Sequence, residues 1–211
     1  MLRAPLLLLA ALLAGCTEPS VTLTTTPDTV LFNGFGATPD PQGLQLISAP
    51  GSLPWTATSD SSWLSVLPPS GTSTPAVMLV QANPTGMPGG VATATLRLSV
   101  SDKVLAVPVI LAVPLAQGTW TGTVLGSTGL ELDLKDSSGV ISGSGAFVGA
   151  GGARLPLLVG GVHAHPTVIF SLNSAGFAPA TVSAVFVTPT VLSGTITGSS
   201  FTGDPLILSH P

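Results

Sequence analysis

Of 211 residues only 7% are charged, and five Lys/Arg stand against nine Asp/Glu, a net charge of −4. Nucleic-acid binding needs a basic stripe to neutralise phosphates, and none is present, so that class of partner is excluded. The single cysteine excludes an internal disulfide, while 25 glycines, 20 prolines and abundant Thr and Val favour short strands and tight turns.

The chain opens with Met-Leu-Arg-Ala-Pro, continues as an aliphatic run from Leu6 to Leu13, and then reads Ala14-Gly15-Cys16. One cation at Arg3, a short apolar core and small residues before a cut describe a secretory signal peptide. The apolar stretch from Ala4 to Ala14 is about half of the ~20 residues a spanning helix needs. Leu13-Ala14-Gly15-Cys16 also resembles the lipobox of bacterial lipoproteins. That resemblance implies a signal peptide over residues 1–15, palmitate-type acyl chains on Cys16, and an exported protein held on the membrane by its lipid. Two or three such chains anchor a protein almost permanently. Thr17 in place of Asp implies, by the same resemblance, the outer membrane of a two-membrane cell, or otherwise the cell surface. Residues 16–20 form a short lipidated tether.

Strand-like segments follow at close intervals: 21–25, 29–32, 44–48, 55–59, 63–67, 77–81, 92–100 and 104–113. Turn clusters such as Thr26-Pro27-Asp28 and Pro68-Pro69-Ser70-Gly71 separate them. Ala92, Ala94, Leu96, Leu98 and Val100 alternate with Thr93, Thr95, Arg97 and Ser99, the pattern of a half-buried strand. Eight short strands with regular turns predict an antiparallel β-sandwich. The segment Trp55-Thr-Ala-Thr-Ser-Asp-Ser-Ser-Trp63-Leu64, the turn Pro69-Ser70-Gly71-Thr72, the entry Gly90-Val91 and the strand Val107-Pro108-Val109 resemble the BACON domain. This is an immunoglobulin-like module of bacterial exported proteins. The resemblance covers about residues 20–114, departs from the family at Val91, and implies an association with carbohydrate.

Pro114-Leu-Ala-Gln-Gly118 reads as a domain boundary between a sandwich at 21–114 and a second all-β domain at 118–209. The predicted strands of the second domain are 119–125, 130–135, 140–148, 153–159, 167–172, 180–187, 191–197 and 206–209. Glu131, Asp133 and Lys135 alternate with Leu130, Leu132 and Leu134, giving one wet and one dry face. Eight strands with short loops form a meander that closes into a barrel, although glycines such as Gly143 and Gly145 would equally serve bends in a small sandwich. Gly118-Thr119-Trp120 weakly resembles the Gly-x-Trp opening of lipocalin-like and avidin-like barrels. Their basic partner on the last strand is missing unless His210 stands in.

Trp55 and Trp63 are the candidates for stacking on a sugar ring, against the alternative that both are core residues of the sandwich. Trp120 is expected to plug the second domain. His163 and His165 are spaced to share one face of a strand, as two metal ligands would be. A metal site wants at least three ligands, and Gly160-Gly161 and Pro166 flank the pair. A solvated turn without metal is therefore expected, and no cofactor is implied.

No Gly-x-Ser-x-Gly elbow occurs, and the acids lie mostly in turns, Asp136 among them, so an enzyme is not expected. The expected role is a membrane-anchored, non-catalytic surface module binding a glycan or mucin-like polymer. The alternatives are a structural envelope protein docking a protein partner, and a binder of small molecules inside the barrel. Replacing Cys16 by Ser is expected to abolish metabolic labelling with palmitate and to release the protein from the membrane fraction, as read by fractionation and immunoblot.

Overall fold

The computed structural model describes residues 20–34 and 38–211, so the expected signal peptide and Cys16 lie outside the described residues. The first half is a two-sheet sandwich. One sheet runs in the order β1 (Thr22–Thr26), β3 (Gln42–Ala49), β7 (Ala76–Ala82), β5 (Leu64–Leu67). The other runs β2 (Val30–Asn33), β9 (Lys103–Val113), β8 (Gly90–Val100), β4 (Trp55–Ser59), β6 (Ser70–Gly71). Proline lacks the N–H a ladder needs. At Pro27 the chain leaves one sheet, and β2 then joins the other sheet parallel to β9, where an antiparallel sandwich was expected throughout. The predicted alternation along β8 holds. Ala94, Leu96, Leu98 and Val100 are buried against Leu44, Leu46, Met78 and Val80 of the facing sheet.

The polar residues between the two tryptophans tie this sandwich together. Ser59 Oγ accepts the Ser61 N–H, and Asp60 Oδ1 accepts the Thr95 N–H at 2.8 Å, joining the loop to β8. That backbone hydrogen bond holds the Asp60 carboxyl below the usual aspartate value. Because the value is lowered on folding, the contribution is present at neutral pH and fades as pH falls through the lowered value. The Trp63 carbonyl in turn accepts the Asn83 N–H at 2.8 Å.

The second half is a closed eight-stranded barrel with every strand antiparallel to its sequence neighbour. Its strands are β10 (Gly118–Val124), β11 (Thr128–Ser137), β12 (Val140–Val148), β13 (Arg154–Ala164), β14 (Thr167–Asn173), β15 (Ala180–Thr188), β16 (Val191–Gly198) and β17 (Phe201–Ser209). Closure comes from β10 pairing with β17, from Thr121 opposite Ser209 to Val124 opposite Leu206. A closed sheet has no edges, and eight strands leave an interior that side chains can fill. Trp120, Leu132, Leu134, Phe170, Val182 and Leu208 fill it here.

So narrow a barrel requires sharp coiling at inward positions. Gly161, between inward Val159 and His163, lies so close to β14 that a Cβ would overlap the Ile169 carbonyl. Gly194, between Leu192 and Ile196, stands likewise against the Ser183 carbonyl. Gly160 faces outward with no heavy atom within 4 Å of where its Cβ would sit. Gly161→Ala is expected to destabilise the protein by about 2 kcal/mol or more through overpacking, while Gly160→Ala stays within about 0.5 kcal/mol of wild type. Urea unfolding of the two variants checks the difference.

Candidate functional site

The structure separates the three tryptophans. Trp55 is 4% exposed, with its indole under Gly71, and its Nε1 has no hydrogen-bond partner among the described residues. Trp63 is half-buried and packs against the same core, keeping part of its surface at solvent. Trp120 is fully buried in the barrel. The His210 ring lies 5.4 Å from it, and His210 Nδ1–H donates to the Thr119 carbonyl at 2.9 Å.

All three histidines of the chain gather at one end of the barrel, the end joined to the sandwich. His163 and His165 do not form a solvated turn: they are 3% and 0% exposed. Their rings lie 6.1 Å apart and both pack on Phe186, His163 at 5.3 Å and His165 at 6.1 Å, while Trp120 meets Phe186 edge-on at 6.2 Å. Asp136, expected in a turn, is instead a strand residue whose side chain is wholly buried. Its Oδ2 accepts the His163 Nδ1–H at 2.6 Å and the Ala116 N–H, from the connection between the domains, at 3.0 Å. Sequence alternation carried a signal for this. Asp136 follows Leu130, Leu132 and Leu134 at the same spacing of two, and so faces inward with them.

The cover over this cluster comes from the loop between β7 and β8. Gly86 N–H donates to the His165 carbonyl at 2.7 Å, and His165 N–H to the Met87 carbonyl at 2.8 Å, a short ladder from one domain to the other. A Cβ on Gly89 would stand 2.6 Å from the Pro114 carbonyl and 2.9 Å from Asp136 Oδ2, so only glycine lets the loop lie this close. Pro88 packs over the turn at Gly139, whose carbonyl accepts the His163 N–H at 2.8 Å.

An Asp–His couple is the orienting half of many acid–base sites. Here both side chains are 0% exposed, and His163 Nε2 is buried with no hydrogen-bond partner among the described residues. The couple ties together backbone segments of β11, the end of β13 and the inter-domain connection. No group of three or more His, Cys, Asp or Glu among the described residues is arranged to hold a metal ion.

Residues 23–112 match the family model of the viral BACON domain, a span that begins in β1 and ends in β9. The first half of the chain is a BACON-like domain. The barrel lies outside that match. No curated protein matches the chain. Among solved structures, the chain is similar to a Bacteroides ovatus GH5 xyloglucanase in complex with a XXXG heptasaccharide, at 20% identity and a TM-score of 0.34. That alignment covers 46% of this chain and only 19% of the xyloglucanase. It is also similar to domains 5–6 of the S-layer protein SbsC, at 12% identity and a TM-score of 0.34 over 91% of this chain and 98% of that one. Likenesses this low carry no argument about function.

Removing one partner of a buried hydrogen-bonded pair leaves the other polar group unmet, at a cost of about 1–3 kcal/mol and more where a charge is involved. Asp136→Ala is therefore expected to lower stability by about 3 kcal/mol, measured by urea unfolding. Gly89→Leu, which pries the loop from Asp136, is expected to open the connection at residues 114–118 to limited proteolysis while both domains keep their β-sheet circular dichroism.

Proposed function

We propose that this chain is an acyl-anchored, non-catalytic protein of the cell envelope whose BACON-like domain and barrel act as one rigid unit binding a polysaccharide or mucin-like polymer. The observation that carries the reading is the junction. The one buried acid–base couple among the described residues is spent on fixing the linker, a barrel hairpin and a sandwich loop to one another. Fixed domain orientation suits a module that presents a preorganised surface, because little order remains to be created on binding. The lipobox-like Leu13–Cys16 segment supplies the anchor, and the BACON resemblance supplies the carbohydrate association.

A small-molecule role inside the barrel gains no support from a lumen filled by Trp120, Phe170 and leucines. A protein partner is favoured by one feature. Val140, Val162 and Ile169 are exposed and stand side by side in register across β12, β13 and β14, an aliphatic band on the outer wall. Such contiguous patches mark contact surfaces.

The deciding experiment is pull-down and intrinsic tryptophan fluorescence of the protein with a panel of neutral polysaccharides and mucins. Saturable binding to at least one polymer is expected. A flat response to every polymer, together with a crosslinked envelope protein that is lost in Val162→Glu, would replace the glycan reading by the docking one.

A further inference from the structure

One wall of the barrel gathers charges in a protein that has few. Glu131, Asp133 and Lys135 take alternate positions along β11, and Arg154 opens β13. Besides buried Asp136, Asp204 is the one other charged residue among the barrel strands. The register lays these groups out in two neighbouring rows. Thr119, Asp133, Ser144 and Leu158 stand opposite one another across β10 to β13, and beside them run Thr121, Glu131, Ala146 and Pro156. Beneath the rows, Gly143 and Gly145 lie close against the carbonyls of Asp133 and Glu131. A groove of about 280 Å³ opens over this wall, lined by Thr119, Glu131, Asp133, Ser144, Gly145 and Arg154. Arg154 Nη2 donates to Glu131 Oε2 at 2.6 Å, and this hydrogen bond with its charge attraction raises the guanidinium above its usual value.

We infer that this groove is a saccharide-binding site. The inference rests on the polysaccharide-binding reading and gives it a place on the molecule, the barrel wall rather than the tryptophan segment of the sandwich. The ligand class follows from the groove's chemistry. Hard cations want six or more oxygen ligands, whereas Glu131 is already paired with Arg154 and Asp133 is left as a single free carboxylate. Anionic ligands find no surplus positive charge, because Glu131 and Asp133 balance Arg154 and the neighbouring Lys135 on this wall. A neutral polyhydroxylated ligand satisfies what remains. The Asp133 carboxylate accepts from hydroxyls, the N–H groups of Arg154 not engaged with Glu131 donate to ring or hydroxyl oxygens, and the Thr119 and Ser144 hydroxyls do either. Hydrogen bonds to ionised groups are the stronger kind. Exposed Leu158 and Pro156 flank the polar rows and offer an apolar shelf to the C–H face of a sugar ring. The Glu131 pairing holds the Arg154 fork in place before the ligand arrives.

The test is titration calorimetry of the detergent-solubilised full chain with neutral polysaccharides and their oligosaccharides. Wild type, Asp133→Asn and Arg154→Gln are compared, with thermal unfolding of each to confirm the fold. These positions are on the outer wall, so the melting temperature is expected to stay near wild type while each variant loses at least tenfold in affinity. Binding retained within twofold by both variants overturns the groove and leaves the polysaccharide reading standing, with the site elsewhere. Binding confined to a polycation such as chitosan and removed by salt overturns it as ion exchange. No binding by wild type to any polymer sinks both the groove and the reading it rests on.

Discussion

A carboxylate taken out of water costs several kcal/mol unless a counter-charge and hydrogen bonds meet it. Asp136 is the one carboxylate among the described residues whose side chain is wholly buried together with its partner, and it sits where the two domains meet. Its Oδ2 takes hydrogen bonds from His163 and from the Ala116 amide, and thereby joins the end of β11, the end of β13 and the inter-domain connection. The loop from the sandwich closes over the same carboxylate at Gly89 and continues the β ladder through Gly86, Met87 and His165. A partner-swapped or loosened arrangement would leave that oxygen unmet. A polar contact therefore ties the two domains together at this junction.

Elsewhere the chain holds together with few charges and no disulfide. Surface ion pairs contribute little in any case, and the two exposed pairs among the described residues, Lys103–Asp102 and Arg154–Glu131, are not what holds the fold. The barrel relies instead on closure, which satisfies every strand's hydrogen bonds, and on a packed lumen. Glycines at inward positions allow strands to coil tightly enough for eight of them to meet. The sandwich has open edges and relies on two apolar faces, with the Ser59–Ser61 turn and the Asp60–Thr95 bond holding its tryptophan segment.

Both arrangements bear on function in the same way. Asp136 and His163 are sealed where they stabilise the fold, and the barrel wall carrying Glu131, Asp133 and Arg154 is one of the polar surfaces left at solvent. The tryptophans first singled out for stacking spend most of their area on the core, and this moves attention from the sandwich to the groove at Asp133 and Arg154.

Much of this was legible in one dimension. Alternation at residues 92–100 and 130–135, turn clusters at proline and glycine, and the paired-tryptophan segment determined an all-β chain with an immunoglobulin-like first half. The same alternation continued to Asp136 and placed it inward, even though its neighbours Ser137-Ser138-Gly139 read as a turn. Spacing alone put His163 and His165 on one side of a strand. Whether that side met water depended on residues 84–89, which reach it only after the sandwich has folded. Closure of the second domain was likewise undecided until β10 met β17, because strands of a meander read alike whether the sheet stays open or returns on itself. Local patterning records which face of a strand is dry. What lies across from that face is a long-range pairing, and only the tertiary structure decides it.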